Sequence, residues 1–514
     1  MSFVNVIATQ FVSQVINSAV QNIAHVRGRF GLLLEKANFT LNKHQLDGVL
    51  FCVRNETKMR CVGLTSDVNV KGGIIADEMG LGKTLLMIGT MFSNFLKKTI
   101  IVVPPILIQQ WANEIYKCSG HRALIYHGKN KKNTSFDQLS DKKVCIVLTT
   151  YNTLMPFKNN KKDKKGEEKS CDLLRIQWDR AIFDEAHHLR NSKTRRFYWA
   201  EQIMAPIRWL ISGTPIQNRR ADFYSLCNML GLGLKLNKDS DVRYIMDNYV
   251  LRRTKAQVGI QLPPVNKNNI VVPWKNVGEK LMSEEIHSLI SKQSGVGFNK
   301  GKDVASAIMR NINNPRAVLL IAMLRAKQSC ILPSLMKKCP GISNCITLDE
   351  TGGYLDAVLS SSKMDAVVNT ILERKDNGKG KIVFCNFIDE IDTIARRLRD
   401  GGIEKVVLYD GRTTGKKRIF NKADVIVLQI QTGCEGLNLQ EFFSEVYFVS
   451  PHWNPAIEDQ AIARCHRIGQ KVDVEVFKFE MDGFGNEKDI DSVTLDKYVN
   501  KVQTVKRDIA NSIL

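Results

Sequence analysis

Two sets of residues in this chain have the types and spacing to handle a phosphate ester. The first is Gly82-Lys83-Thr84, which closes the turn Asp77-Glu78-Met79-Gly80-Leu81. Gly72 to Ala76 before it reads as a short buried strand, and Leu85 to Leu96 after it reads as an apolar helix. Such a turn offers backbone N–H groups to an anion, Lys83 to the β- and γ-phosphates, and the Thr84 hydroxyl to Mg2+. The general pattern asks for a first glycine five positions before Gly82, and Asp77 stands there instead. The second set is Asp184-Glu185, ending the strand Ala181-Ile182-Phe183. Asp184 there would hold Mg2+ through water, and Glu185 would orient and deprotonate an attacking water. A lone Gly-Lys-Thr is a weak signal, and a carboxylate pair can be only a helix cap. Their order and separation carry the catalytic reading.

The elements that must position these groups form two runs of strands and helices. Thr99 to Pro104 is a continuous apolar strand of the kind buried in parallel sheets, and Val144 to Leu148 is another. The alternation resumes with Lys381–Cys385, a helix from Ile388 to Leu398, then Val406–Tyr409, Val425–Leu428 and Val446–Ser450. At 514 residues the chain exceeds one core and suits two or three domains. Its 74 Lys+Arg against 52 Asp+Glu leave a net charge of +22, which points to a polyanionic partner, nucleic acid first, with a merely solubilising lysine surface as the bland reading. Twelve cysteines without a Cys-x-x-Cys pair suggest neither a zinc module nor a disulfide framework, and fit a reducing compartment.

Residues 1–24 carry no charge and pair polar with apolar residues in a four-residue period, so a helix packed on the first lobe is expected rather than a membrane span. Lys158 to Lys169 is lysine-rich, has no apolar residue to bury, and reads as a surface loop.

The whole string from Asp77 to Thr84 resembles motif I of the Swi/Snf-like ATPases, a branch of the superfamily 2 helicases. Further stretches are similar to that family's motifs in the same order. His44-Gln45-Leu46 resembles the adenine-reading segment, with Gln45 on the base edge. Gln109-Gln110-Trp111 and Thr149-Thr150-Tyr151 look like motifs Ia and Ib, whose hydroxyl and amide side chains would contact DNA phosphates. Ser212-Gly213-Thr214-Pro215-Ile216-Gln217-Asn218 resembles motif III, and Tyr249 to Lys255 the segment closing the first lobe. In the second half, Asp410-Gly411-Arg412-Thr413 with Arg418 is similar to motif IVa, and Gln431 to Leu439, containing Gly436, to motif V. Gln460, Arg464 and Arg467 match motif VI; the arginines are spaced to share a helical face and to spread charge on a γ-phosphoryl group. Ala463 replaces the aspartate most relatives carry.

The resemblance implies two tandem RecA-like parallel α/β lobes with helical insertions and helical extensions at both ends. Residues 1–40 would be an N-terminal extension, 41–255 the first lobe, 256–375 a helical bridge, 376–485 the second lobe and 486–514 a helical tail. ATP would bind through Gln45, Asp77, Glu78, Met79, Gly80, Leu81, Gly82, Lys83, Thr84, Gly436 and Gln460, with Mg2+ on Thr84 and Asp184. Lys83, Asp184, Glu185, Arg464 and Arg467 would carry the chemistry. The implied activity is a DNA-dependent ATPase that translocates on duplex DNA, without sequence preference, and displaces bound proteins. A strand-separating helicase and an inactive DNA-binding scaffold are the competing readings. The compact form also looks like members carried by large DNA viruses. A polymerase or chromatin component would be the protein partner, no membrane is expected, and the nucleus, the cytoplasm or a virion would be the location.

Overall fold

In the computed structural model the described residues are 23–57, 70–155, 171–214, 220–232, 239–291, 315–338, 358–412, 423–433, 437–485 and 493–513. The segment before residue 23, the lysine-rich 158–169, residues 215–219, Arg418 and Gly436 lie outside them. Two compact units follow one another: the first ends at Gln261 and the second runs from Leu262 to Ser512.

The first unit is built on a seven-stranded sheet of order β3-β4-β2-β5-β6-β1-β7. Its strands are β1 (Lys71–Ile75), β2 (Thr99–Val103), β3 (Leu124–Ile125), β4 (Ile146–Thr150), β5 (Arg180–Phe183), β6 (Ile207–Ile211) and β7 (Val250–Leu251). Every pairing is parallel. Apolar runs such as Thr-Ile-Ile-Val-Val are buried at every position because both sheet faces are covered. The cover includes α1 (23–36), α2 (Lys43–Thr57), α3 (Lys83–Ser93) and α4 (Ile108–Ser119). Phe30, Val49, Leu86, Met87, Trp111 and Trp209 knit them to the sheet in one core. Within it Glu56 of α2 takes two 2.6 Å hydrogen bonds from the buried Arg180 and one of 2.8 Å from Trp209 Nε1.

The second unit carries a six-stranded, wholly parallel sheet of order β10-β11-β9-β12-β13-β8. The strands are β8 (Val265–Val272), β9 (Gly380–Cys385), β10 (Val406–Tyr409), β11 (Val425–Gln429), β12 (Phe443–Phe448) and β13 (Val474–Met481). β8 is a departure from expectation. It lies in the stretch read as a helical bridge, yet pairs with β13 along eight positions. Its start, Val-Asn-Lys-Asn-Asn, has no apolar run because an edge strand is solvated on one side. The helices α5 (Val277–Ser291) and α6 (Pro315–Ile331) follow it, then α7 (Ser362–Glu373), α8 (Ile388–Asp400), α9 (Pro455–Ile462) and the final α10 (Leu495–Ile513). α10 is tied back to its own unit: Asp496 accepts from Met481 N at 3.0 Å, and Gln503 Nε2 donates to Glu458 Oε1 at 2.6 Å. No helix among the described residues is long and apolar enough to cross a membrane.

Candidate active site

β1, β6 and β5 are neighbours in the first sheet, so the turns leaving their carboxyl ends lie side by side. The turn after β1 is held by main-chain bonds: Ala76 N donates to Leu251 O at 2.7 Å and Glu78 N to Arg253 O at 2.9 Å. Gly80 and Gly82 have φ of 92° and 78°, left-handed values that strain a residue with a Cβ. A Cβ on Gly82 would also meet Gln45 Nε2 at 2.8 Å. α3 then starts at Lys83 with no side-chain cap on its first N–H groups. Lys83 Nζ folds back to donate to the carbonyls of Asp77 at 2.8 Å and Glu78 at 3.3 Å. Ser212 extends β6 by donating its N–H to Ile75 O at 3.0 Å. Gly213 follows, where a Cβ would stand 2.9 Å from Met79 Cγ and 3.3 Å from Lys83 Nζ. The structure thus brings Gln45, the 77–84 turn and the Ser212-Gly213-Thr214 turn together.

Asp184 and Glu185 leave β5 in the same neighbourhood. Asp184 Oδ2 accepts from Trp111 Nε1 at 2.7 Å, Oδ1 accepts from Glu185 N at 2.8 Å, and the Asp184 carbonyl accepts from Tyr151 Oη at 2.7 Å. Burial, then the adjacent Glu185 charge, push the Asp184 carboxyl above the ordinary carboxylate range, against the pull of Trp111, the Glu185 N–H and Lys83. Glu185 has φ 48°, ψ 50°, a left-handed conformation unusual for a residue with a side chain and costing on the order of 1–2 kcal/mol. Such local strain gathers at functional sites. Its Oε2 lies 3.1 Å from His187 Nδ1.

Several expected nucleic-acid contacts point inward instead. Thr149 Oγ1 donates to Tyr126 O at 3.0 Å, Thr150 caps the short helix Tyr151–Leu154, and all three of Thr149, Thr150 and Tyr151 are buried. Trp111 is buried as well. The amphipathic spacing of Ile108, Trp111, Ile115 and Cys118 on α4 is the sequence signal that places it on the core side. Gln109 stays exposed, with Nε2 donating to Asn113 Oδ1 at 2.8 Å, and the exposed residues of this region include the basic Lys129, Lys132, Lys193 and Arg195. Lys131 Nζ donates to Thr153 O at 3.3 Å, and Arg196 Nη1 lies 3.0 Å from His188 Nδ1.

In the second unit Arg464 and Arg467 do not share a helical face. α9 stops at Ile462, and both arginines lie on the turns that follow, before Gly469 with φ 101°. Arg464 Nε donates to Gln460 O at 3.2 Å, its carbonyl accepts from Leu439 N at 3.0 Å, and Arg467 Nη1 donates to Asn438 Oδ1. Gln460 is buried with neither amide atom hydrogen bonded. Arg412 is held by two aspartates, at 2.9 and 2.8 Å from Asp392 and 3.0 and 2.6 Å from Asp410.

A family model described as the SNF2-related domain matches residues 44–335, and one described as the helicase conserved C-terminal domain matches residues 362–469. The chain is 27% identical over 497 residues to a probable global transactivator of Orgyia pseudotsugata multicapsid polyhedrosis virus, spanning 92% of this chain and 91% of the viral one. It is 28% identical to an uncharacterized ATP-dependent helicase of Mycoplasma genitalium, spanning 87% of this chain and 40% of that one. Against the DNA excision repair protein ERCC-6-like of Homo sapiens the identity is 26%, over 89% of this chain and 41% of the other. The chain therefore spans most of the viral relative and about two-fifths of the other two. Among solved structures, a Sulfolobus solfataricus SWI2/SNF2 ATPase core in complex with dsDNA is 22% identical, covering 92% of this chain and 93% of its own, with a TM-score of 0.37.

Proposed function

Since the chain belongs to the SNF2-related family and is an ATP-hydrolysing enzyme, we propose that it is a DNA-dependent ATPase which translocates on duplex DNA and displaces bound proteins. The observation that carries this reading is the gathering of Lys83, Asp184-Glu185 and Ser212-Gly213 on three adjacent strand-end turns. Gln45 takes the adenine edge: its Oε1 is buried without a partner and its Nε2 stands against the phosphate turn. The uncapped start of α3 and Lys83 take the phosphates.

Thr84 and Asp184 offer the hard oxygen donors that Mg2+ prefers, and a cation would offset the burial that raises Asp184. When bound, Mg2+ neutralises charge on the transferred phosphoryl group. Glu185 accepts the proton of the attacking water, with His187 beside it to orient the carboxylate. Arg464 and Arg467 spread the charge that develops on the γ-phosphoryl oxygens, and Gln460 is assigned to nucleotide binding with Gly436, which lies outside the described residues. Lys83→Ala should lose nucleotide binding and hydrolysis together. Glu185→Gln should bind ATP and fail to hydrolyse it; near-normal turnover would remove Glu185 from the role of base.

Duplex DNA suits the net charge of +22 and the exposed Lys129, Lys132, Lys193 and Arg195. Phosphate contacts of this kind hold DNA without reading its sequence, so affinity should fall steeply with salt. DNA should stimulate ATP hydrolysis, and a triplex-forming third strand should be displaced with ATP while a forked duplex stays annealed. Efficient unwinding of the fork would favour a strand-separating helicase. The names of the viral and repair relatives support a role in transcription or repair; a polymerase or chromatin component is the partner proposed for that role. The eight free cysteines among the described residues support a reducing location, the nucleus or cytoplasm.

A further inference from the structure

Asp77 occupies the place where the general phosphate loop has a glycine, and its carboxylate is fully buried. A buried charge needs a partner. Arg253, just beyond β7, supplies it: Nε donates to Oδ1 at 3.0 Å and Nη2 to Oδ2 at 2.5 Å. The remaining nitrogen, Nη1, donates to the main-chain oxygen of His44, the residue before Gln45. One planar group therefore joins the first residue of the phosphate turn to the first turn of α2.

The surroundings are shaped for that bridge. Gly48 lies one turn further along α2, and a Cβ there would clash with Leu86 Cδ1 and stand 3.0 Å from Arg253 Nη2. The main chain of Arg253 also accepts from Glu78 N at 2.9 Å, while Lys255 N donates to Glu78 Oε2 at 2.8 Å. On the far side of the turn Gln45 Nε2 abuts Gly82. The position of Gln45 relative to the phosphate turn is thus set at two points, by the Arg253 fork and by the Gly82 contact.

We propose that Arg253 is a positioning residue that sets the spacing between the base-reading Gln45 and the phosphate turn, coupling nucleobase choice to triphosphate binding. The proposal rests on the ATP-site reading above. A guanidinium fork suits this bridge because its nitrogens point in fixed, coplanar directions; a lysine supplies the charge and donors from one atom, but not the separate nitrogens that grip both Asp77 oxygens and the His44 carbonyl.

The test measures KM and kcat for ATP and GTP, with equilibrium binding of fluorescent ATP and GTP analogues, on the full chain. Arg253→Lys should raise KM for ATP about tenfold, leave kcat within about threefold, and erode the preference for ATP over GTP about tenfold. Asp77→Asn should give the same pattern, and the double variant should be no worse than the worse single, as expected for residues acting as one unit. A fall in kcat with KM and base preference unchanged, or additive single effects, would overturn the proposal. Lys83→Ala separates the two failures. If it binds ATP like the wild type, the site reading fails; if it does not, and Arg253→Lys keeps full base preference, the inference alone fails.

Discussion

The two units secure their phosphate-handling groups in different ways. In the first, the groups are bonded directly: Asp184 by Trp111 and Tyr151 and Asp77 by Arg253, all from distant parts of the chain, and Lys83 by the carbonyls of its own turn. In the second, Arg464 and Arg467 leave irregular turns, with Arg464 Nε on Gln460 O and Arg467 Nη1 on Asn438 Oδ1. Support there comes from behind. α9, which leads into the turns, is gripped by α10 through Gln503–Glu458, Arg507–Asp459 and Lys506 on the Trp453 carbonyl. The first unit fixes atoms; the second fixes a segment. Direct bonding should make single changes in the first unit expensive, and bracing should spread the loss in the second.

The largest difference is expected in the buried ion pairs. Arg180 and Glu56 have side chains only 1% and 0% exposed, so Arg180→Ala strands a carboxylate in the core and should destabilise the first unit by about 3–5 kcal/mol. Arg374→Ala is the counterpart in the second unit. Arg374 is 34% exposed, and Glu445 keeps Asn377 at 2.7 Å, Tyr447 at 2.7 Å and Lys381 at 3.5 Å, so about 1–2 kcal/mol is expected. Denaturant unfolding of both variants decides it. Equal losses would mean that the second unit is as tightly determined as the first.

Next in size is a pH effect on the second unit. His287 is buried, its Nδ1 2.7 Å from Ser283 O and its Nε2 accepting from Leu495 N at 2.9 Å, and burial holds its pKa down at about 4. The folded chain keeps it neutral while the unfolded chain takes up a proton below its ordinary value near 6.5. Its stability contribution is therefore complete above pH 6.5 and is lost as pH falls from 6.5 towards 4, by on the order of 2–3 kcal/mol. The difference in unfolding free energy between wild type and His287→Gln isolates this group from the carboxylates that titrate in the same range. A difference that stays constant between pH 7 and pH 4 would show that His287 takes up its proton in the folded chain as readily as in the unfolded one.

How much of this was legible in the sequence follows from the same contrast. The strands around Lys83 and Asp184 are continuous apolar runs, and the phosphate turn announces itself by Gly80 and Gly82, which the structure places at positive φ. Pairwise supports were not legible, because nothing in local spacing tells that Trp111 ends 2.7 Å from Asp184 or that Arg253 reaches Asp77 across 176 positions. The shared helical face expected for Arg464 and Arg467 failed for a related reason. A three-residue spacing fits a helix only if the helix continues, and α9 stops at Ile462. β8 was missed because Asn266, Lys267, Asn268 and Asn269 hide an edge strand behind polar composition.

The catalytic support in the first unit should be visible in turnover. Trp111→Phe keeps the ring in the core and removes one donor to Asp184, a loss of about 1–1.5 kcal/mol, or roughly tenfold in kcat. KM for ATP should change less than kcat, since Gln45, Lys83 and the start of α3, which are proposed to take the nucleotide, are left in place. Steady-state ATP hydrolysis with saturating DNA measures it. Unchanged kcat would make the Trp111–Asp184 bond structural only.

The smallest effect tests bracing itself. Arg507 makes two hydrogen bonds to Asp459, at 2.7 and 3.0 Å, but the pair is exposed, 39% and 41%, and exposed pairs contribute about 1 kcal/mol or less. If α9 is held as a segment, losing this pair leaves Gln503 on Glu458, Lys506 on the Trp453 carbonyl and Tyr498 edge-on to Trp453 in place. Arg507→Ala should therefore lower stability by about 1 kcal/mol or less and change ATP turnover by no more than about twofold. The measurement pairs a thermal melt with steady-state hydrolysis. A tenfold loss of turnover at unchanged stability would mean that this one contact aims Arg464 and Arg467, and the second unit would then fix its atoms as directly as the first.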